Sequence, residues 1–319
     1  MKGRAGVRIL APAKVNLWLR VIRRRPDGFH EVDTLFQAVD LCDDVEVSCG
    51  PGAGVGLSVE GAELGPPREN LAYRAALAFL DAVGPGAGGA RIQIRLRKRI
   101  PAGAGLGGGS SDAAAVLRCL SVLWGHPLSP PVLSEVGAAL GSDVAFFLGS
   151  GPLTRGRGRG ELLEPLPSLP QAHFVLVLPP VHVATGAAYG ALARYRATHG
   201  DDARVTLAAG TDTWDELGGA AVNDFELVVP GAHPSISASL EALRRAGACP
   251  ALLSGSGSAC FGLFPGADRA REAADTLMAA LGWPAVAVRT LDAFPTPRLL
   301  SGPECRSGGL GEVPREAGG

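Results

Sequence analysis

The sequence lacks the features that mark membrane, secreted or nucleic-acid-binding proteins. It has 30 Lys and Arg against 31 Asp and Glu, and a net charge of −1 argues against general affinity for nucleic acid. No uninterrupted apolar run is long enough to span a bilayer. Six cysteines are far apart, with no Cys-x-x-Cys pair and no metal-ligand spacing. The sequence therefore predicts a cytoplasmic protein with reduced thiols and with neither a membrane nor a nucleic-acid partner.

Aromatic residues are also scarce, at 5% of the 319 residues, whereas hydrophobic residues make up 46%. Alanine, leucine and valine must therefore fill the core. The length exceeds that of one average domain and predicts two. The first 25 residues carry eight basic side chains and no acidic one, a local positive charge that suits a polyanionic substrate.

Glycine is concentrated in one segment, where five of the seven residues 103–109 are glycine. Two serines and several alanines follow, so the loop is expected to lead into a helix over about Ser110–Trp124, with Ser110 as its N-cap. Unpaired N–H groups at such a helix start favour a phosphate. No lysine follows the glycines, so the P-loop pattern is absent. The G-x-G-x-x-G match lacks the buried strand and the acidic residue of a dinucleotide site. A glycine turn that binds nothing is the alternative.

Two further segments contain candidate site residues. In residues 11–19, the alternation of a strand places Lys14 and Asn16 on one face. Residues 252–262 form a turn of small residues between two apolar runs. Taken singly, they could be a surface lysine on a strand and a tight Gly/Ser turn.

Together and in this order, the three segments resemble the GHMP kinases. The matching motifs are Pro12-Ala13-Lys14, Pro101 through Ser111, and Ser254 through Cys260. Runs of strands with helices in each half indicate an α+β protein. The resemblance implies two domains with the active site between them, namely a ribosomal-S5-like domain over 1–165 and a ferredoxin-like domain over 166–295. Residues 296–319 are rich in Gly and Pro and are predicted to be a disordered tail.

The resemblance also implies a reaction with ATP and Mg²⁺. Residues 140–148 match the family motif that contains the catalytic aspartate, which implies that Asp143 is the base and that Lys14 is its partner. On the residues alone, Ser142 or Asp143 could instead cap a helix that begins at Val144. Ser110 or Ser111 is the candidate Mg²⁺ ligand. The implied ATP loop consists of Pro101, Ala102, Gly103, Ala104, Gly105, Leu106, Gly107, Gly108, Gly109, Ser110 and Ser111. The third-motif turn consists of Ser254, Gly255, Ser256, Gly257 and Ser258.

The tetrapeptide Asp27-Gly28-Phe29-His30 is similar to that of one branch of this family, whose substrate is a cytidine diphosphate alcohol. The resemblance implies that Phe29 stacks on the base, that His30 binds its edge, that Tyr189 covers its second face and that Asn16 contacts the substrate. On the residues alone, Phe29 is better explained as a core anchor and His30 as a turn residue exposed to water. Three arginines at 155, 157 and 159 could screen a triphosphate or belong to a solvated loop.

Two other functions stay open, namely another GHMP small-molecule kinase of the homoserine or mevalonate type and a non-catalytic nucleotide-binding regulator. The chain is expected to be a monomer or a homodimer. The expected elements are strands up to about residue 100, a buried strand from 173, a strand–turn–strand over 251–264, and helices over 131–140, 185–199, 234–246 and 269–281.

Overall fold

The computed structural model of the protein describes residues 5–84, 90–200 and 213–300. These residues form two sheets, and the larger one is built mainly by the first half of the chain. Its centre is the long antiparallel pair β1 (Ala5–Arg24) and β2 (His30–Pro51). The sheet is extended by β3 (Gly54–Glu60), β4 (Ala90–Arg97), β5 (Leu153–Gly158) and β6 (Leu162–Pro165). The first half of β2 pairs with β5 and its second half pairs with β4.

Helices from the first half of the chain pack on this sheet. They are α1 (Leu71–Val83), α2 (Gly108–Leu123), α3 (Pro130–Leu140) and α4 (Ser142–Leu148). Few aromatic residues are available for the core, and small side chains fill it instead: α2 buries the consecutive alanines 113–115 where it packs on β1 and β2. Such small residues let a helix approach the sheet closely.

The smaller sheet has the antiparallel order β11 (Ala285–Arg289), β7 (His173–Val177), β10 (Cys260–Phe264) and β9 (Ala251–Leu253). On one face, Val175 and Val177 of β7 pack with α8 (Pro234–Arg245) and α9 (Ala267–Leu281). On the other face, Phe174 and Leu176 pack against the larger sheet. The remaining helices are α5 (Thr185–His199), α6 (Trp214–Ala220) and α7 (Val229–Ala232).

Strand β1 contributes to two hydrophobic cores, one before Pro12 and the other after it. Its register with β2 shifts between Pro12 and Ala13, where proline has no N–H for the ladder. The odd residues before this shift, Val7, Ile9 and Ala11, belong to the core beneath α2, and those after it, Ala13, Val15 and Leu17, belong to the core between the sheets. Because side chains alternate along a strand, Lys14 and Asn16 point away from that second core.

Two late segments also join the larger sheet. β8 (Val222–Asn223) runs parallel to β1 at Trp18 and Leu19, and β12 (Arg298–Leu300) runs antiparallel to residues 6–8 of β1. The tail predicted from residue 296 therefore includes a strand, and residues 301–319 lie outside the described residues. The domain bounds 1–165 and 166–295 remain a prediction.

Several predicted elements are present, and two details differ. α1 lies in a region predicted as strands, and Asn70 caps it by accepting a hydrogen bond from the N–H of Ala72 at 2.9 Å. The expected N-cap Ser110 is wrong, since α2 begins at Gly108. Its N-cap is Gly107, whose φ of 71° is left-handed and which has no side chain to cap the helix. This early start occurs although glycine is a poor helix former.

The described residues include no helix that is both long and apolar enough to cross a membrane. The expectation of reduced thiols holds for Cys42, Cys119, Cys249 and Cys260, which are free. It is wrong for Cys49, which is disulfide-bonded.

Candidate active site

Lys14 is held on β1 by a chain of side-chain hydrogen bonds. Its Nζ donates to Asn16 Oδ1 at 2.7 Å, Asn16 Nδ2 donates to Thr34 Oγ1 at 2.8 Å, and Thr34 donates to the carbonyl of Trp18 at 2.8 Å. Lys14 is 4% exposed and Asn16 is 2% exposed. The predicted sharing of one face by Lys14 and Asn16 is therefore confirmed, and the ammonium group is fixed in direction.

Asp143 lies in the first turn of α4 and faces this ammonium group, with Lys14 Nζ 3.6 Å from Asp143 Oδ2. α4 begins at Ser142 with Gly141 as its N-cap, and no side chain caps it. Neither Ser142 nor Asp143 thus fills the capping role that the sequence left open. The Asp143 side chain is 32% exposed, so a ligand can reach its carboxylate.

The glycine loop passes between β1 and the third-motif turn. Gly103, Gly105 and Gly107 all have positive φ, as a loop of this shape requires. The N–H of Lys14 donates to the carbonyl of Leu106 at 2.9 Å, and Ser254 Oγ donates to the carbonyl of Gly105 at 3.0 Å. A Cβ at Gly105 would lie 2.1 Å from the Ser254 carbonyl oxygen. The three sequence motifs are therefore in direct contact.

Asn223, which the sequence analysis did not single out, holds the third-motif turn. Its Nδ2 donates to the carbonyls of Leu253 at 2.7 Å and Gly255 at 2.8 Å, and its Oδ1 accepts the N–H of Phe225 at 3.0 Å. Asn223 is 3% exposed, so this amide is a structural tether rather than a surface residue. A single asparagine carries no sequence pattern that would reveal this role.

A cavity of about 200 Å³ joins these groups. Its wall includes Lys14, Asn16, Gly105, Gly107, Asp143, Tyr189, Gly255 and Ser256. All three motifs and the Lys14–Asp143 pair therefore open onto one space, as expected for a site where a phosphate group meets an acid–base pair.

A second, larger cavity of about 730 Å³ contains the predicted aromatic residues. Phe29, His30 and Tyr189 all line it, and Tyr189 also lines the smaller cavity. The rings of His30 and Tyr189 are stacked, with centroids 4.1 Å apart and an angle of 12°. Phe29 is 54% exposed, which is against its being a core anchor. The sequence-predicted group is thus brought together, with His30 lying on one face of Tyr189.

Burial and the nearby charges of Arg24 and Arg196 lower the pKa of His30, so its imidazole is neutral at pH 7. Burial raises the pKa of Tyr189 to about 12, and the negative charge of Asp143 adds to the effect. The Tyr189 hydroxyl therefore stays protonated. Both polar groups can exchange hydrogen bonds with a neutral base edge.

The three arginines predicted near a triphosphate have different surroundings. Arg155 makes two hydrogen bonds of 2.8 Å to Asp33, and Arg157 donates to Glu164 at 3.1 Å on the exposed surface. Only Arg159 lines the two cavities. Its guanidinium lies 4.7 Å from the centroid of the Phe29 ring.

A buried charged cluster that the sequence analysis did not identify supports the glycine loop from behind. Lys98 lies three residues before Pro101, where the loop begins, and its Nζ bonds to Asp43 and, at 2.6 Å, to Asp112 in α2. Asp43 Oδ1 also accepts the N–H groups of Arg99 at 2.5 Å and Ile100 at 2.9 Å. Burial raises the pKa of Asp112, although the positive charge of Lys98 opposes the shift. The cluster ties the start of the loop to the helix that ends it.

Replacing Lys98 by methionine is expected to destabilise the fold by about 3–5 kcal/mol, because it leaves two buried carboxylates without their cation. The Lys98 side chain is 3% exposed, so water cannot replace it. The neighbouring Arg97, exposed and 3.2 Å from Glu60, is the control, and Arg97→Met should cost under about 1 kcal/mol. Urea unfolding of both variants measures the difference, and equal stability would contradict a structural role for the cluster.

The described part of the chain holds no group of three or more His, Cys, Asp or Glu side chains that could bind a metal. Ser111 Oγ is buried and has no hydrogen-bond partner in the described structure, and Ser110 precedes it in the first turn of α2. An oxygen donor at this place fits Mg²⁺, which prefers oxygen and takes most of its ligands from phosphate and water. Neither serine lines the two cavities, so their role in binding metal remains a prediction.

Comparison with known proteins gives two family matches. Residues 70–151 match the family described as "GHMP kinases N terminal domain", and residues 207–281 match "GHMP kinases C terminal". The first match contains the glycine loop and Asp143.

Among curated proteins, the chain is 47% identical over 258 residues to the 4-diphosphocytidyl-2-C-methyl-D-erythritol kinase of Solibacter usitatus (strain Ellin6076), covering 80% of each chain. It is 42% identical over 287 residues to the enzyme of the same name from Geobacter sp. (strain M21), covering 89% of this chain and 99% of the relative.

Among solved structures, the chain is similar to that of a 4-(cytidine 5'-diphospho)-2C-methyl-D-erythritol kinase, with 39% identity and a TM-score of 0.73 over 89% of this chain and 98% of the other. A homoserine kinase from Cytophaga hutchinsonii has a TM-score of 0.68 over 92% of this chain and 97% of the other. At 20% identity, it shares the fold alone.

Proposed function

Because this chain belongs to the GHMP kinases and is an ATP-dependent kinase, we propose that it phosphorylates the 2-hydroxyl of 4-diphosphocytidyl-2-C-methyl-D-erythritol. The products would be the 2-phosphate and ADP, in the synthesis of isoprenoid precursors outside the mevalonate route. The observation that carries the proposal is a pair of adjacent cavities that share Arg159, Thr185 and Tyr189 in their walls. One contains the Lys14–Asp143 pair beside the glycine loop, and the other contains Phe29 and His30.

In this proposal, the glycine loop and the N-terminal turn of α2 hold the phosphates of ATP. Gly107 ends the loop in a left-handed conformation and is the N-cap of α2, where no side chain caps the helix, and the first N–H groups of a helix have no partner within it. Mg²⁺ would accompany the nucleotide and offset phosphate charge, with the hydroxyl of Ser110 or Ser111 as its protein ligand. Phosphoryl transfer depends mainly on position and electrostatics, which this loop would supply.

Asp143 would accept the proton of the substrate hydroxyl. Lys14, 3.6 Å away, forms an ion pair with the Asp143 carboxylate and would stabilise negative charge that develops on the transferred group. Asn16 fixes the lysine through their 2.7 Å hydrogen bond, so the ammonium group is oriented before any substrate arrives. Asn16 also lines the smaller cavity, where it could contact the substrate.

Phe29, His30 and Tyr189 would bind the cytosine. The exposed ring of Phe29 offers an apolar face, and the neutral imidazole of His30 offers a hydrogen-bonding group for the edge of the base. Tyr189, which lies against His30, would form the second wall.

A substrate panel tests the proposal. The release of ADP is measured with 4-diphosphocytidyl-2-C-methyl-D-erythritol, homoserine, mevalonate and galactose at equal concentrations. Turnover with the cytidine compound alone is expected. Preference for an alcohol without cytidine would place the chain in another branch of the family, and no turnover with any of them would favour a nucleotide-binding regulator.

Replacing Phe29 or Tyr189 by alanine should raise KM for the cytidine substrate roughly 5- to 150-fold, because a stacked base contributes about 1–3 kcal/mol for each aromatic face. KM for ATP should hardly change. Steady-state kinetics with each substrate varied in turn measures both values.

Tyr195→Ala is the matched control. Tyr195 lies on the same helix as Tyr189 but stacks on His199, with ring centroids 4.3 Å apart, outside both cavities. Its loss should leave both KM values unchanged. An equal loss for ATP and for the cytidine substrate in the Phe29 and Tyr189 variants would mean that these rings support the fold instead.

A further inference from the structure

The larger cavity is lined by positive charge, which a pocket for a neutral base does not require. Among the described residues that line it are two arginines, Arg24 and Arg159, and no carboxylate. A concave site with one sign of charge attracts a ligand of the opposite sign. A cytosine base is neutral, so the two cations indicate that another, anionic part of a ligand lies beside the base.

Arg159 stands at the junction of the two cavities, since it lines both the larger one and the one that contains Asp143. Its guanidinium makes no hydrogen bond within the described residues, and the carboxylate paired with it, that of Glu161, is 3.7 Å away. The Arg159 side chain is 38% exposed. Arg159 is therefore a cation that lies between the two cavities, and no carboxylate among the described residues is within hydrogen-bonding distance of its guanidinium.

The contact between Arg159 and Phe29 determines how the cation is presented. The guanidinium lies over the Phe29 ring at 4.7 Å from its centroid, which holds it by a cation–π interaction. The N–H groups of a guanidinium lie in its plane and match two phosphate oxygens at once. Because the guanidinium held over Phe29 makes no hydrogen bond within the described residues, its N–H donors remain available to an anion.

We infer that Arg159, assisted by Arg24, binds the diphosphate that connects the cytidine of the substrate to its alcohol. This inference rests on the proposed function, in which the base lies near Phe29 and the reacting hydroxyl near Asp143. The diphosphate joins these two parts in the molecule, and Arg159 lies between the two corresponding places in the protein. Arg159 would then select for a nucleoside diphosphate over an uncharged nucleoside.

Binding measurements without turnover test this assignment. CDP and cytidine are titrated against the wild-type chain and the variants Arg159→Gln, Arg159→Lys and Arg157→Gln by ligand-observed NMR, and ATP is titrated by calorimetry. Arg157 is the matched control, because it belongs to the same segment but pairs with Glu164 on the surface. We expect Arg159→Gln to weaken CDP binding at least tenfold, to change cytidine binding less than threefold and to leave ATP binding unchanged.

Arg159→Lys should restore part of the affinity for CDP, since it keeps the charge but loses the planar pair of donors. Arg157→Gln should match the wild type with all three ligands. Unchanged CDP binding by Arg159→Gln would overturn the inference, and so would an equal loss for CDP and cytidine. A loss confined to ATP would instead assign Arg159 to the triphosphate. If the wild-type chain binds neither CDP nor cytidine, it is the proposed function that fails.

Discussion

Replacing Asp143 by asparagine is expected to lower kcat about 100-fold or more while ATP still binds with its wild-type affinity. Asparagine keeps the shape of the side chain but has no negative charge to accept the substrate proton or to pair with Lys14 at 3.6 Å. Since Asp143 makes no capping hydrogen bond in α4, the substitution should not disturb that helix. Single-turnover kinetics and calorimetry with ATP separate the two effects.

Asp268→Asn is a close control for this experiment. Asp268 is the second residue of α9 and follows a glycine N-cap, as Asp143 does in α4, but it pairs with Arg271 on the surface. Its replacement should leave kcat unchanged. A kcat for Asp143→Asn within a few-fold of the wild type would show that the carboxylate does not take the proton.

The second large effect is expected at Gly107, where valine should abolish measurable ATP binding while the protein still unfolds cooperatively. Gly107 has a φ of 71°, which a β-branched residue adopts only with strain. A Cβ there would lie 3.1 Å from Lys14 Cγ and 3.1 Å from Phe147 Cε2. The substitution would therefore displace both the end of the loop and the lysine. Calorimetry with ATP and thermal unfolding measure the two outcomes.

Gly282→Val separates backbone strain from damage to the loop. Gly282 has a φ of 78° at the end of α9, and a Cβ there would meet nothing within 4 Å. This variant should lose stability through strain but bind ATP normally. If Gly107→Val also binds ATP normally, the glycine loop does not hold the phosphates.

Much of the site could be predicted because its residues belong to short local patterns. The glycine run, the alternation that pairs Lys14 with Asn16, and the Phe29-His30 dipeptide each occupy a few consecutive positions. The position of Asp143 within its motif was likewise local. These local patterns do not show which aromatic rings contact one another. The stacking of His30 on Tyr189, which lies far away in the sequence, is seen only in the structure.

The remaining parts depend on residues that are distant in sequence. Asp43, Lys98 and Asp112 form one cluster, but each is an ordinary charged residue in its own segment. Asn223 is tied to a turn 30 positions further along the chain. The start of α2 at Gly108 departs from helix propensity, because the left-handed Gly107 and the contacts of the loop decide where the helix begins. Tertiary contacts set these features, and no local pattern reports them.

Because β12 pairs with the edge of β1, a truncated chain that lacks β12 is not expected to be stable by itself. A fragment that ends at residue 165 would contain β1, β2 and the glycine loop, yet residues 6–8 of β1 would lose their hydrogen-bonding partners in β12. The side of β1 that pairs with β8 at Trp18 and Leu19 would be open as well. Unpaired strand edges recruit other chains, so such a fragment should aggregate. Although the candidate catalytic groups are all encoded in the first half, the last strand of the described chain protects the sheet that carries them.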